Sequence, residues 1–414
     1  MGSTDIDRSR AGHTVAMSPP PTARRRPGEL GIRIGVLPPG PTDSIVDVAN
    51  VRVGHQTIWR DEPAPPDGRG VARTGVTAIV PFRVAELFRS RVPAGAAVLN
   101  GAGAAIGITA IGEWGTLETP IFLTSSMAIG RVYDAAVATL LELDELAGDD
   151  DALMPVVAEC DDGWLNTSRH VQVEAADVRA ALAAAAGAEA GPTAGGVVGA
   201  GTGMVCYELK GGIGTASRVV EPVDRRASWA TAGRRRAGTD AAAERPYTVG
   251  VLALTNFGRT ERLTIDGVRV GEALIVDGWP DAGLGGRERG SCIVVVATDA
   301  PMLGPALERL ARRAGLGLAR TGSTAGHGSG EIFLAFSTGT RIPRGGATAL
   351  RTVELIDDEY LDPFFAAVVE ATEAAVIDSL FRADGVVGRD GHAAPGLPVE
   401  RTLALMRAAG RLAQ

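Results

Sequence analysis

Ser291 stands where a glycine-rich, charged tract from Trp279 to Gly290 gives way to an apolar run, Ser291-Cys-Ile-Val-Val-Val-Ala-Thr298. The tract has the composition of an exposed loop, and the run reads as a buried strand. A cut of the Gly290-Ser291 bond would leave one residue carrying both a hydroxyl nucleophile and a free α-amine. That amine, with an intrinsic pKa of about 7.7–8.0, is suited to act as a general base near neutral pH, the logic of N-terminal-nucleophile hydrolases. Taken alone, a Gly-Ser pair at a loop-to-strand junction is an ordinary boundary.

Other residues strengthen the chemical reading. Gly328-Ser329-Gly330-Glu331 precedes a second apolar run, Ile332 to Ser337. Ser329 and Glu331 are two apart, so in an extended chain they project to the same face. A hydroxyl backed by a carboxylate can orient or relay a proton for a nucleophile. A third run, Val249 to Leu254, ends in Thr255-Asn256-Phe257-Gly258. A side-chain amide at a strand tip presents a neutral N–H at a fixed point and suits an oxyanion.

Blocks in one order along most of the chain, from about Gly40 to the C-terminus, carry a family resemblance. They include Asp43 to Thr57, Thr74-Gly-Val-Thr77, Val98-Leu-Asn-Gly101, Leu117 to Ile121, Pro155 to Glu159 and Asp162-Gly163. Gly199 to Met204, Gly211 to Arg218, Gly290-Ser291 with Ala297 to Pro301, and Gly388 to His392 continue the series. The chain resembles the L-aminopeptidase/D-esterase (DmpA-type) and β-aminopeptidase family of self-processing serine peptidases. The resemblance implies a four-layer αββα sandwich and a nucleophile at Ser291, freed by cleavage at Gly290-Ser291 into an α chain 1–290 and a β chain 291–414. It further implies Asn256 as oxyanion donor, Ser329 and Glu331 as the supporting pair, and Glu159 as the acid that receives the substrate's amino group. A carboxylate anchoring an ammonium gives charge-assisted selection of an unblocked N-terminus. Some members have Tyr two residues after this Glu, where its hydroxyl assists the oxyanion. This chain has Asp161 there, which cannot donate a hydrogen bond when ionised. Cys292 also departs from the family's usual Ile, and as a small hydrophobe should be tolerated in a strand.

The implied activity is an aminopeptidase acting on short peptides, amino-acid amides or esters, without cofactor or metal. An acyltransferase on the same fold and an unprocessed binding protein are the alternatives. The family suggests a homo-oligomer of αβ units, tetrameric or larger. A net charge of −8 and a pI near 5.3 argue against a nucleic-acid partner. The three cysteines show no paired spacing of a disulfide or zinc framework, which favours a reducing, cytoplasmic setting. No apolar run reaches the roughly 18 residues of a membrane span, and no signal-like apolar core follows the N-terminal charges.

The elements that must position these residues alternate in type, as in an α/β protein. Strands are expected at Val76 to Pro81, Pro120 to Thr124, Pro155 to Cys160, Met204 to Leu209, Val249 to Leu254, Ile293 to Ala297 and Ile332 to Phe336. Helices are expected at about Ala128 to Leu146, Val173 to Ala186, Met302 to Ala314, Tyr360 to Phe381 and Val399 to Ala409. Residues 1–28 read as a disordered extension and 29–414 as one catalytic domain. The clusters Arg24 to Arg26 and Arg234 to Arg236 read as solvated linkers, and Pro222 to Pro246 as a surface insertion. Gly199-Ala-Gly-Thr-Gly203 lacks dinucleotide-loop spacing and reads as a tight turn lining the site. His55, His170, His327 and His392 have no metal-ligand spacing, and Asp162-Gly163 and Asp390-Gly391 read as turns.

Overall fold

Alternation of buried side chains along the central strands sets the architecture. The longer strands are β1 (Arg52–Asp61), β2 (Val71–Val80), β3 (Ser90–Gly101), β4 (Ile121–Ser125), β5 (Val156–Cys160), β6 (Gly212–Val220), β7 (Tyr247–Asn256), β8 (Arg289–Thr298) and β9 (Gly328–Ser337). The longer helices are α1 (Ile129–Leu141), α2 (Ala175–Ala186), α3 (Gly304–Arg320), α4 (Asp362–Phe381) and α5 (Val399–Ala408). This computed structural model describes residues 24–149, 151–188, 191–221, 245–279, 289–345 and 349–412.

One sheet has the order β1-β2-β4-β5, closed at its edge by the two residues Ala105–Ile106. The other runs β6-β7-β8-β9-β3, with β8 and β9 parallel and the remaining neighbours antiparallel. Along β8, Ile293, Val295 and Ala297 share a core with Ile79, Ile121 and Ala158 of the first sheet. The intervening Val294 and Val296 pack with Leu307 and Leu310 of α3 and Val368 and Ala371 of α4. On the far side of the first sheet, Val76, Ala78 and Val157 meet Val132 and Ala136 of α1 and Val178 and Leu182 of α2. The layers are therefore α, β, β, α. Each fully buried Val, Leu or Ile contributes about 1.5–3 kcal/mol, and alternate residues of one apolar strand serve two different cores. Gly214 in β6 lets α4 close on the sheet, because a Cβ there would lie 1.8 Å from the Ala375 carbonyl oxygen.

Several expected elements shift. Met204 to Leu209 is not one strand but a hairpin, with Val205 opposite Lys210 and Cys206 opposite Leu209. Its two turn residues, Tyr207 and Glu208, have φ of 53° and 60°. Such values are uncommon outside glycine, and tertiary bonds hold them: Tyr207 Oη lies 2.8 Å from Thr321 Oγ1, and Glu208 accepts the Thr260 N–H at 3.1 Å. The helix expected to reach Leu146 stops at Leu141, and the Asp144 carboxylate beyond it accepts from Arg89 Nε and Nη2. Residues 24–28 are not part of a solvated extension. Arg24 pairs with Asp384 at 2.6 Å and Arg26 with Asp378 at 3.0 Å. The Arg26 guanidinium also donates to the carbonyls of Asp43 and Thr215, using donors that solvent would otherwise satisfy. Arg234 to Arg236, most of the 222–246 insertion and most of the tract before Gly290 lie outside the described residues. Among the described residues, no helix is long and apolar enough to cross a membrane.

Candidate active site

Three strand ends converge on Ser291. In register it lies between Asn256, the last residue of β7, and Gly330, near the start of β9. Strand alternation turns Ser291 toward the first sheet, on the face of Ile293 and Val295. Ser291 is buried, and its hydroxyl donates to the carbonyl oxygen of Gly290 at 2.7 Å. In the continuous chain the hydroxyl thus rests against the carbonyl of the peptide bond it would have to attack. Gly290 has to be glycine: a Cβ would lie 2.3 Å from the Asn256 carbonyl oxygen and 2.7 Å from Phe257 Cα.

The Asn256 amide has a defined orientation. Its Oδ1 accepts the Val205 N–H at 2.9 Å, and Nδ2 donates to the Asp161 carbonyl at 2.9 Å. One Nδ2 hydrogen remains beyond that bond. Glu159, at the end of β5, is buried; Oε1 accepts the Ala104 N–H at 2.8 Å and Oε2 the hydroxyl of Ser126. Burial pushes the Glu159 carboxyl above the usual range, the two hydrogen bonds pull it back, and nearby Asp161 pushes it up again. Gly103, in the loop after β3, ties this acid to the serine. A Cβ built on Gly103 would lie 3.3 Å from Glu159 Oε1 and 3.9 Å from Ser291 Oγ. Glycine therefore leaves open a gap with the nucleophile on one side and a carboxylate on the other.

The Ser329 hydroxyl donates to Glu331, as their spacing predicts. The pair flanks Gly330, the register partner of Ser291, so alternation directs it to the Cys292 side of the sheet. Ser329 itself is level with Gly290, beside the bond to be cut. The Asp161 side chain is exposed and accepts the Gly163 N–H at 2.9 Å, while its backbone carbonyl holds Asn256. Asp162 is more than a turn residue. It is fully buried, accepts from Ser125 at 2.8 Å and Asn166 at 2.9 Å, and burial raises its pKa to about 6. The Gly199–Gly203 turn is buried, and Val205, just beyond it, supplies the N–H that fixes Asn256.

His392 stacks on Trp164 at 3.9 Å and packs its segment onto the loop after Asp161, whereas His327 is exposed. Burial pushes the Cys160 and Cys292 thiols well up and that of Cys206 to about 12, so none competes as a thiolate near neutral pH. Among the described residues, no cluster of three or more His, Cys, Asp or Glu is placed to hold a metal ion. Ser126, Gly103 and Lys210 carry no motif that would have marked them, and the Asp162-Gly163 pair signals only a turn; the fold brings them here.

The model for peptidase family S58 matches residues 43–394. The chain is 38% identical to the β-peptidyl aminopeptidase BapA of Sphingosinicella xenopeptidilytica over 380 residues, which cover 89% of this chain and 88% of the relative. Among solved structures it is similar to the L-aminopeptidase D-Ala-esterase/amidase of Ochrobactrum anthropi, described as a prototype serine aminopeptidase with a variant Ntn hydrolase fold. The TM-score is 0.81 at 37% identity, covering 94% of this chain and 99% of that one. The PH0078 protein of Pyrococcus horikoshii OT3 is similar as well, with a TM-score of 0.82 at 40% identity over 94% and 100% of the two chains. The chain belongs to peptidase family S58 and is an aminopeptidase of the N-terminal-nucleophile type.

Proposed function

We propose that the chain cleaves itself between Gly290 and Ser291 and then hydrolyses amino-terminal residues from short peptides, amides or esters through an acyl-enzyme on Ser291. The observation that carries this reading is the position of the Ser291 hydroxyl. It is buried, 2.7 Å from the Gly290 carbonyl oxygen, with Asn256 on the neighbouring strand and Glu159 across the gap left by Gly103. In self-processing, Oγ attacks the Gly290 carbonyl carbon and the C–N bond breaks, so that the Ser291 nitrogen takes up the hydroxyl proton and leaves as a free amine. Water then hydrolyses the resulting ester, releasing the Gly290 carboxylate and the Ser291 hydroxyl.

In the mature enzyme that amine accepts the Oγ proton while Oγ attacks the substrate carbonyl. Asn256 Nδ2 stabilises the oxyanion, a donor worth about 2.7–4 kcal/mol in such sites. The proton passes to the departing amine, and water then releases the acyl group. Ser329 and Glu331, which flank the Gly330 partner of the new N-terminus, support the transfer from the amine side of Ser291. Glu159 receives the substrate ammonium by a charge-assisted bond, a reading that the relative named as a β-peptidyl aminopeptidase supports. Asp161 adds a second negative charge at the mouth of this pocket in place of a hydroxyl donor. The αβ units assemble into a homo-oligomer. Replacing the nucleophile tests the reading: Ser291→Ala should give a single uncut chain without peptidase activity. Two chains from that variant would overturn it.

A further inference from the structure

Each end of the Asn256 amide is held by a peptide unit that a buried charged residue holds in turn. At Oδ1 the partner is the Val205 N–H, which belongs to the planar unit shared with the Met204 carbonyl. That carbonyl accepts from Lys210 Nζ at 2.6 Å. Lys210 is fully buried and donates also to the carbonyls of Gly201 at 3.0 Å and Gly211 at 2.7 Å. At Nδ2 the partner is the Asp161 carbonyl, which shares its peptide unit with the N–H of Asp162. Asp162 is fully buried and tied to Ser125 and Asn166.

Three carbonyl acceptors match the three N–H donors of an ammonium, whereas a neutral amine has two. Burial lowers the Lys210 pKa to about 7, and the charge of Asp162 acts to raise it. The acceptor geometry favours the charged form. An ammonium on the Met204 oxygen polarises that peptide and strengthens its N–H as a donor to Asn256. The whole arrangement is rigid, since a planar peptide passes the position of its oxygen directly to its N–H.

We propose that Lys210 is a positioning residue for oxyanion stabilisation, setting the Asn256 amide through the Met204-Val205 peptide, while Asp162 sets the opposite end through the Asp161-Asp162 peptide. The proposal rests on the reading of Asn256 as the oxyanion donor. Neither residue touches substrate; both act by fixing where the donor hydrogen points.

The test is a double-mutant cycle on the full-length protein. Lys210→Met, Asp162→Ala and Asn256→Ala are made singly, and each of the first two is also combined with the third. Values of kcat and KM are measured per processed chain, with the 291–414 chain counted by mass. Lys210→Met and Asp162→Ala should each lower kcat by about 10- to 100-fold, as a donor displaced by about 1 Å would, with KM unchanged within about twofold. In the Asn256→Ala background the further loss should shrink to less than about twofold, because the group being positioned is gone. Equal losses in both backgrounds, or an effect on KM alone, would show a merely structural role and overturn the proposal. Asn256→Ala with wild-type kcat would overturn the oxyanion reading itself. A large loss in Asn256→Ala with no loss in Lys210→Met would overturn only the inference. A fold lost in one variant leaves the other to decide, and failure of both to fold also overturns the proposal.

Discussion

Glu159→Gln separates recognition of the substrate amine from the chemistry at Ser291. The substitution keeps the side chain's shape and removes its charge. Glu159 Oε1 accepts the Ala104 N–H and Oε2 the Ser126 hydroxyl. A glutamine can keep its oxygen on Ala104 and donate its NH2 to the Ser126 oxygen, since a hydroxyl serves either role. Folding should therefore be little changed. What disappears is the charge-assisted bond to the substrate ammonium, in a buried setting with little solvent screening. Such bonds contribute about 1.5–3 kcal/mol, a loss of about 10- to 150-fold in kcat/KM. The assay compares alanyl and propionyl 4-nitrophenyl esters, which differ only in the amino group. The alanyl ester should lose the full factor and the propionyl ester less than about twofold. Because the Glu159 carboxyl is raised by burial, wild-type kcat/KM for the alanyl ester should fall as pH drops through that raised value. The variant should lack this acid limb. Equal losses on both esters would refute the assignment and place Glu159 in the chemical step or in the fold.

Gly290→Ala must displace the end of β7, because its methyl would lie 2.3 Å from the Asn256 carbonyl oxygen. Self-cleavage followed by gel should slow about tenfold or more, and wild-type timing would count against the tight register at the bond. Asp162 is protonated more readily folded than unfolded, with pKa raised from 3.8 to about 6. Its stabilising contribution is complete below the lower value and is lost as pH rises through the upper one, about 3 kcal/mol in all. Urea titrations from pH 3.5 to 7 should show that decline relative to Asp162→Asn, and parallel curves for the two proteins would contradict it.

An α/β protein with buried central strands was legible because those strands are long apolar runs, as at Val249 to Leu254 and Ile293 to Ala297; the four-layer arrangement came only from the family resemblance. In the helix expected at Tyr360 to Phe381, Phe364, Val368, Ala371, Ala375 and Leu380 pack in a single cluster with α3. Strands β1, β3 and β6 escaped notice since each mixes glycine or polar residues into its run: Gly54-His55-Gln56, Pro93 to Ala96, and Gly214-Thr215. The 204–209 hairpin gave no signal, because its turn uses Tyr207 and Glu208 where a sequence reader looks for Asn-Gly. Ser291, Asn256 and the Ser329-Glu331 pair could be picked out as strand-end residues with useful chemistry. Lys210 and Asp162 could not. Lys210 carries no sequence signal and the Asp162-Gly163 pair reads as a turn, and only long-range packing buries both. The alternation that turns Ser329 away from Ser291 became visible only with the register of β8 on β9.

Self-cleavage at one bond is the central claim, and intact mass of the purified protein, with N-terminal sequencing of each component, tests it most directly. Two chains are expected that together make up the 42.5 kDa sequence, the smaller comprising residues 291–414 and beginning at Ser291. A single 42.5 kDa chain that hydrolyses amino-acid amides while still uncut would contradict it, because the nucleophile would then be working without its free amine.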